Sequence, residues 1–227
     1  MLGKLLRIFA IILLGLTSAL MVLGGIGTIC IAFWPEKYES LAMMAPYKPI
    51  YQVAAITTII GGLLGFWITI RLRKFTERNH LYAVLILLLS LATAGVKMYF
   101  SNKVRGSVAP TNIRFDVTVA VLIYFLILRI PGLWEKVRRQ AQPGDDGNAG
   151  LAAAAIIAGA LALTVQYWAG PVHVIRGVNY ADIWHTQLFI LGWTLILGGA
   201  CWLARVWLRR APALRALRQT TTPGPIG

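Results

Sequence analysis

The chain has 227 residues, of which 58% are hydrophobic and only 13% are charged. Soluble domains are about a quarter charged, so a fold of this composition in water would have to expose large apolar patches. The net charge of +14 comes from basic residues at the ends of apolar runs, a pattern typical of membrane topology and not of nucleic-acid binding. We therefore expect an all-α, polytopic integral membrane protein, a bundle of about six transmembrane helices, with no nucleic acid among its partners.

Six apolar stretches are long enough to cross a bilayer, because about 20 apolar residues span the hydrocarbon core. Each must be helical, since lipid offers backbone groups no hydrogen-bond partner. The first stretch follows Lys4 and Arg7 as in a signal peptide, but it is too long for a typical cleaved signal and is predicted to stay as the first helix. In chain order the predicted spans are about 8–34, 50–70, 81–100, 115–134, 151–168 and 184–203.

A polar stretch rich in Gly and Pro, AQPGDDGNAG at 141–150, divides the predicted helices into two groups. Residues 1–140 are predicted to form a four-helix transmembrane part. Residues 141–150 are then a cytoplasmic linker and residues 151–210 a transmembrane helical hairpin. The basic residues 211–227 are expected to form a disordered tail.

The distribution of Lys and Arg predicts the orientation of the chain. Of the 22 basic residues, 15 lie on the side that holds both termini and 7 on the other side. The positive-inside rule then places both termini in the cytoplasm. The inner surface is expected to contact anionic lipid headgroups, and the short loops suit a bacterial inner membrane.

Small residues within the spans predict close helix packing, either inside one bundle or against other membrane subunits. Gly61 and Gly65 form a GxxxG step, and Ala155 and Gly159 form a similar step. No charged residue lies at the midpoint of a span, which weighs against a proton pump. Lys97 and Asp116 lie near span ends, where they can reach water, and we expect them to pair.

The stretch GPVHVIRGVNYADIWHTQ at 170–187 carries two of the three histidines and is the first candidate site. His173 and His185 are candidate ligands for a metal ion or a haem on the outer side. Eleven residues separate them, whereas transmembrane haem is usually held by histidines on facing helices. The alternative is an ordered outer loop, and no cofactor is expected.

The outer loop SNKVRGSVAPTNIRFD at 101–116 is the second candidate site. Its basic residues, together with one from the later loop, could bind a phosphate, a carboxylate or a lipid headgroup. The alternative is a solvated loop held by local turns. The four candidate residues are Lys103, Arg105, Arg114 and Arg176.

The sequence has no GxSxG, HExxH, Walker or CxxC motif, so no catalytic activity is predicted. Three functions remain open. The first is a structural or accessory subunit that packs on other subunits of a larger membrane complex. The second is a transporter or channel for a small solute such as an anion. The third is a redox or lipid-handling protein with an outer-side histidine site.

Overall fold

The computed structural model describes residues 2–139, 145–168, 170, 174–175 and 177–220. These residues are almost entirely helical, which confirms the all-α class. A pair of two-residue antiparallel strands, Val174–Ile175 and Val178–Asn179, lies in the last loop. Two 3-10 helices, Pro35–Lys37 and Glu39–Tyr47, precede α3. The α-helices are α1 (Leu2–Ile26), α2 (Ile29–Phe33), α3 (Lys48–Arg71), α4 (Glu77–Arg105), α5 (Thr111–Ile127), α6 (Pro131–Arg139), α7 (Asp145–Trp168), α8 (Tyr180–Ile183) and α9 (His185–Thr220).

Within the described ranges, five helical stretches are long and apolar enough to cross a membrane, and a bent pair of helices brings the number to six. The architecture is therefore that of a multi-pass helical membrane protein. The five stretches are Leu2–Ile26, Leu41–Arg71, Glu77–Arg105, Gly147–Tyr167 and His185–Arg209.

The predicted fourth span, 115–134, is not one straight helix. Helix α5 ends at Ile127, and α6 begins at Pro131 at an angle of 88° to it. Proline has no N–H to continue the hydrogen-bond ladder, and Gly132 follows it. The chain therefore bends at a position where the sequence predicted one continuous helix. The apolar side of α6, Trp134 and Val137, is buried, and its basic residues point away from the core.

Two further boundaries differ from the sequence prediction. Helix α7 begins at Asp145, so residues 145–150 of the predicted linker are its first turns. Helix α9 continues to Thr220, so residues 211–220 of the predicted disordered tail are helical. Ala, Leu and Arg make up most of this stretch, and their high helix propensity favours the extension. Residues 221–227 lie outside the described part of the chain, and the division into two transmembrane parts stays a prediction.

Helix α1 is central and packs against α3, α5, α6 and α7. Glycines on α3 allow this helix to lie close to α1. A Cβ atom at Gly62 would lie 2.9 Å from the carbonyl oxygen of Ser18 and 3.0 Å from the amide nitrogen of Val22. At the neighbouring Gly61 a Cβ would lie 2.8 Å from the Met21 side chain. The small residues predicted on this span therefore serve contacts within the chain.

Helices α7 and α9 form a hairpin whose backbones nearly touch. A Cβ at Gly159 would lie 2.6 Å from the carbonyl oxygen of Gly192, and one at Gly192 would lie 2.9 Å from that of Gly159. Apart from this hairpin, α9 has few neighbours, and only 11% of its most apolar stretch of 18 residues is buried. Most of the α9 surface is therefore available to lipid or to another protein.

Aromatic side chains and two hydrogen bonds close the end of the bundle at which α1 and α4 begin and α3 and α5 end, which we call the basic end. The His80 imidazole lies between the rings of Phe125 and Trp134, with centroids 5.6 and 5.1 Å away. Its Nε2 donates a hydrogen bond to the Phe125 carbonyl oxygen at 2.9 Å. The Tyr124 hydroxyl donates to the Leu6 carbonyl oxygen at 2.6 Å. Together these contacts hold α5 against α4 and α1 just before the bend.

The segment between α2 and α3 lies at the other end of the bundle, which we call the opposite end. Here the Lys48 Nζ donates to Glu36 Oε1 at 3.4 Å. A hydrogen bond from its own backbone amide, followed by the attraction of Lys48, holds the pKa of the exposed Glu36 carboxyl below its usual value.

Candidate anion site

The four basic residues predicted to bind an anion have different environments. Arg114 is buried, with 6% of its surface exposed. Lys103 and Arg105 are exposed at the end of α4. Arg176 lies outside the described residues. The structure therefore buries one described member of the predicted set, Arg114, and leaves Lys103 and Arg105 exposed.

A second buried cation, Lys97 on α4, lies beside Arg114 at the opposite end of the bundle. Only 7% of Lys97 is exposed, and its Nζ donates to the Thr28 hydroxyl. That hydroxyl in turn donates to the carbonyl oxygen of Gly24 at 2.5 Å. Arg114 reaches the same glycine, since a Cβ at Gly24 would lie 3.4 Å from its Nη1. The two cations therefore flank the end of α1 and act electrostatically on each other.

Local geometry explains why α4 and α5 bring these residues together. Helix α4 ends at Gly106, whose φ of 65° is the left-handed conformation that glycine favours at a helix C-terminus. The Ser101 hydroxyl donates to the Ser107 carbonyl oxygen at 2.7 Å and fixes the short loop that follows. The first turns of α5 then lie next to the last turns of α4. Nearby, the Tyr51 hydroxyl donates to the Lys97 carbonyl oxygen at 3.3 Å and joins α3 to the cluster.

No carboxylate of the described residues pairs with either cation. The predicted pair between Lys97 and Asp116 does not form, because Lys97 turns to Thr28 and Asp116 is exposed. The helical repeat is the reason: positions 114 and 116 lie about 200° apart around a helix, so an inward Arg114 leaves Asp116 facing outward. The ion pairs in the described ranges lie elsewhere, at Lys48–Glu36 and Arg139–Glu135.

The guanidinium of Arg114 is the least satisfied group of the cluster. Its Nε, Nη1 and Nη2 atoms are all buried and have no hydrogen-bond partner in the described structure. A buried charge without a partner is costly, and a second cation beside it adds repulsion. A bound anion would remove both penalties. The planar fork of an arginine matches the two oxygens of a carboxylate or a phosphate, so an oxyanion is the ligand that this geometry fits.

The predicted histidine site stays a prediction, because one of its two residues, His173, lies outside the described residues. His185 is exposed at the start of α9 and stacks on Phe189, with ring centroids 6.0 Å apart. His80 lies at the basic end, far along α4 from Lys97. Among the residues that the structure describes, no group of three or more His, Cys, Asp or Glu could hold a metal ion.

Sequence reasoning missed Lys97 as a site residue because it expected the side chain to extend to water. A pattern in α4 could have revealed it. Polar residues recur there at helical spacing along one side of an otherwise apolar span, and all are buried. These residues are Ser90, Thr93, Lys97 and Ser101.

Comparison with models of protein families, with curated proteins and with solved structures gives no match to this chain. Its class therefore follows from the structure alone, and that class is a multi-pass, all-helical protein of membrane type.

Proposed function

We propose that the protein is a membrane carrier or channel for a small oxyanion, a carboxylate or a phosphate, which binds between Arg114 and Lys97. The observation that supports this is two adjacent buried cations with no carboxylate partner among the described residues. Ionisable residues inside membrane-spanning helices are expensive and usually mark a substrate or ion pathway. Arg114 supplies a rigid two-pronged donor, and Lys97 supplies a flexible charge that can move between Thr28 and the anion.

The end of the first span lies beside the site. Helix α1 ends at Ile26, and Gly27 and Thr28 form a turn before α2. Non-helical backbone is tolerated where it lines a polar site, and here Thr28 of the turn accepts the hydrogen bond of Lys97.

We also propose the orientation that the distribution of charge favours. Both termini are cytoplasmic, and the basic end faces the cytoplasm of a cell such as a bacterium. The site then lies in the outer half of the membrane. An anion from the outer side would reach Arg114 and Lys97 first.

Anion-dependent stability of the purified protein tests the proposal. In a neutral detergent, phosphate or acetate should raise the Tm of the native chain, because a ligand that binds only the folded state stabilises it. Arg114→Gln and Lys97→Gln should each reduce the rise. Arg105→Gln is the matched control, since it removes the same charge from an exposed position at the end of α4, the helix that carries Lys97. The proposal is wrong if neither anion raises the Tm, or if all three variants respond as the native chain does.

Uptake into proteoliposomes separates transport from binding alone. Labelled phosphate or acetate should enter vesicles that contain the native chain faster than empty vesicles, and Arg114→Gln should abolish the difference. A Tm rise without uptake would leave an anion-binding protein and refute the carrier or channel.

A second candidate function is that of an accessory subunit in a larger membrane complex, which the surface of α9 favours. A Cβ at Gly198 would have nothing within 4 Å, and the nearby Cys201 is exposed. A small, open patch on a sparsely packed helix lets another helix approach closely. Crosslinking from Cys201 in native membranes should then give a discrete larger species that survives mild detergent. If Cys201 forms no crosslink and the chain migrates alone, this candidate is excluded.

A further inference from the structure

Three arginines at the basic end are held over aromatic rings. The Arg71 guanidinium lies 3.9 Å from the centroid of Trp67. That of Arg78 lies 5.5 Å from Tyr82, and that of Arg129 lies 4.9 Å from Trp134. Such cation–π contacts fix the position of a side chain that would otherwise move freely in water.

Two of the rings hold their arginines towards the membrane. Trp67 lies one helical turn before Arg71, which is the last residue of α3, and Tyr82 lies one turn after Arg78, near the start of α4. The Cα atoms of both aromatic residues therefore lie about 6 Å deeper in the span than those of their arginines. The Arg78 Nε also donates to the Tyr82 hydroxyl at 2.8 Å. Trp and Tyr at span ends lie at the level of the lipid headgroups, so these guanidiniums lie there as well.

The three arginines have no acidic partner among the described residues, whereas two other basic residues at the same end have polar side-chain partners. Arg139 pairs with Glu135 at 2.7 Å, and Arg73 donates to the Asn148 side chain at 2.9 Å. No ion pair of the described residues includes the other three, and each of them is exposed. They are Arg71, Arg78 and Arg129.

The fold gathers the three cations around the start of α4. The Asn79 Nδ2 donates to the Arg71 carbonyl oxygen at 2.9 Å and ties the end of α3 to the first turn of α4. His80, in that same turn, packs against Trp134, the ring that carries Arg129. Three exposed positive charges thus lie at the basic end of the bundle, near the start of α4.

We propose that these three arginines at the basic end bind the phosphate-bearing headgroups of anionic phospholipids. Arg71 and Arg78 are held over rings of the adjacent turn within the span, and this position favours a lipid headgroup as the ligand. Arginines that bind an acidic protein outside the membrane would extend away from the bundle. This site is separate from the anion site at Arg114, which lies at the other end of the spans.

Lipid titration of the full-length protein in a neutral detergent tests the proposal. Phosphatidylglycerol should raise the Tm, and phosphatidylcholine with the same acyl chains should not. A basic residue near an anionic membrane contributes about 1 kcal/mol, so each Arg→Gln change should weaken the apparent affinity about fivefold. The combined Arg71→Gln, Arg78→Gln and Arg129→Gln variant should lose on the order of 100-fold.

The matched control removes three exposed charges from the opposite end, with Lys37→Gln, Lys103→Gln and Arg105→Gln, and should keep the native affinity. If the triple arginine variant does not fold, the three single variants and an Arg71→Lys variant, which keeps the charge, provide the same comparison.

Three outcomes would overturn the proposal. Phosphatidylglycerol leaves the native Tm unchanged, the arginine variants bind like the control, or, in the Arg114→Gln chain, inorganic phosphate or a polyglutamate peptide reproduces the effect at equal concentration. Loss of this lipid effect would not alter the response to acetate at Arg114, so the two proposals fail independently.

Discussion

Replacing Arg114 with methionine tests whether its guanidinium serves a ligand or the fold. Methionine is long, unbranched and able to fill an irregular space, so Arg114→Met removes the charge with little change of shape. In the native chain without an anion, three guanidinium nitrogens are buried without partners beside a second cation. The substitution therefore removes a penalty and breaks no hydrogen bond of the Arg114 side chain within the described structure.

The expected size of the effect follows from this environment. Replacing buried ionic groups with apolar side chains of similar volume is often stabilising by about 1–4 kcal/mol. In the absence of anions, the free energy of unfolding of Arg114→Met should thus exceed that of the native chain. An anion at 100 times its Kd should stabilise the native chain by about 2.7 kcal/mol and the variant not at all. Added phosphate should consequently reduce or reverse the difference in stability.

Unfolding in mixed micelles with increasing SDS, followed by tryptophan fluorescence, measures both values. Arg105→Met, at an exposed position nearby, controls for the loss of a positive charge and should change stability little in either condition. If Arg114→Met is less stable than the native chain in anion-free detergent, the guanidinium contributes to the fold and the argument for a ligand fails.

Four other substitutions should have distinct outcomes, the first three in the same unfolding assay. Gly62→Ala should cost about 1–3 kcal/mol, because its Cβ would meet the α1 backbone. Gly198→Ala, where nothing lies within 4 Å, should instead be neutral or gain up to about 1 kcal/mol, and equal costs at both positions would contradict the packing described for α3. His80→Leu should cost about 1–3 kcal/mol by leaving the Phe125 carbonyl oxygen without its partner; unchanged stability would show that this hydrogen bond is dispensable. Because its pKa is lowered in the folded state, Glu36 should stabilise the protein above its unfolded pKa and lose this contribution as the pH falls through its folded pKa. A Tm difference between native and Glu36→Gln chains that did not shrink on acidification would refute this assignment.

The spans could be predicted from the sequence because hydrophobic length is a local property. Five of the six predicted stretches correspond to helices that are long and apolar enough to cross a membrane. The exception, 115–134, shows the limit of that rule. Its apolar run continues past Pro131 to Leu133 and Trp134, so hydrophobicity alone does not reveal the bend that the proline produces.

The candidate site could be predicted only in part, because it depends on tertiary contacts. Arg114 was identified from its loop, but its expected neighbours Lys103 and Arg105 lie on exposed positions of α4. Its actual neighbour, Lys97, was expected to reach water. A lysine near a span end can do so when its side of the helix faces lipid, and the sequence alone does not reveal that this side faces α1. The glycine at position 24, which lets Arg114 lie against the α1 backbone, has no signature of its own.

The excess of cations gives the two ends of the bundle different chemistry. The chain has 22 Lys and Arg and only 8 Asp and Glu, so most of its positive charges must be balanced by water or by anions from outside. Exposed cations are solvated by water and neutralised by mobile counter-ions. A basic surface alone therefore indicates topology and not a specific binding site. Water cannot surround Lys97 and Arg114, which are buried, and Arg71 and Arg78 are exposed but held over the rings of Trp67 and Tyr82. The two proposals differ in the anion that would balance these charges, a solute inside the bundle at the first pair and a lipid headgroup at its edge at the second.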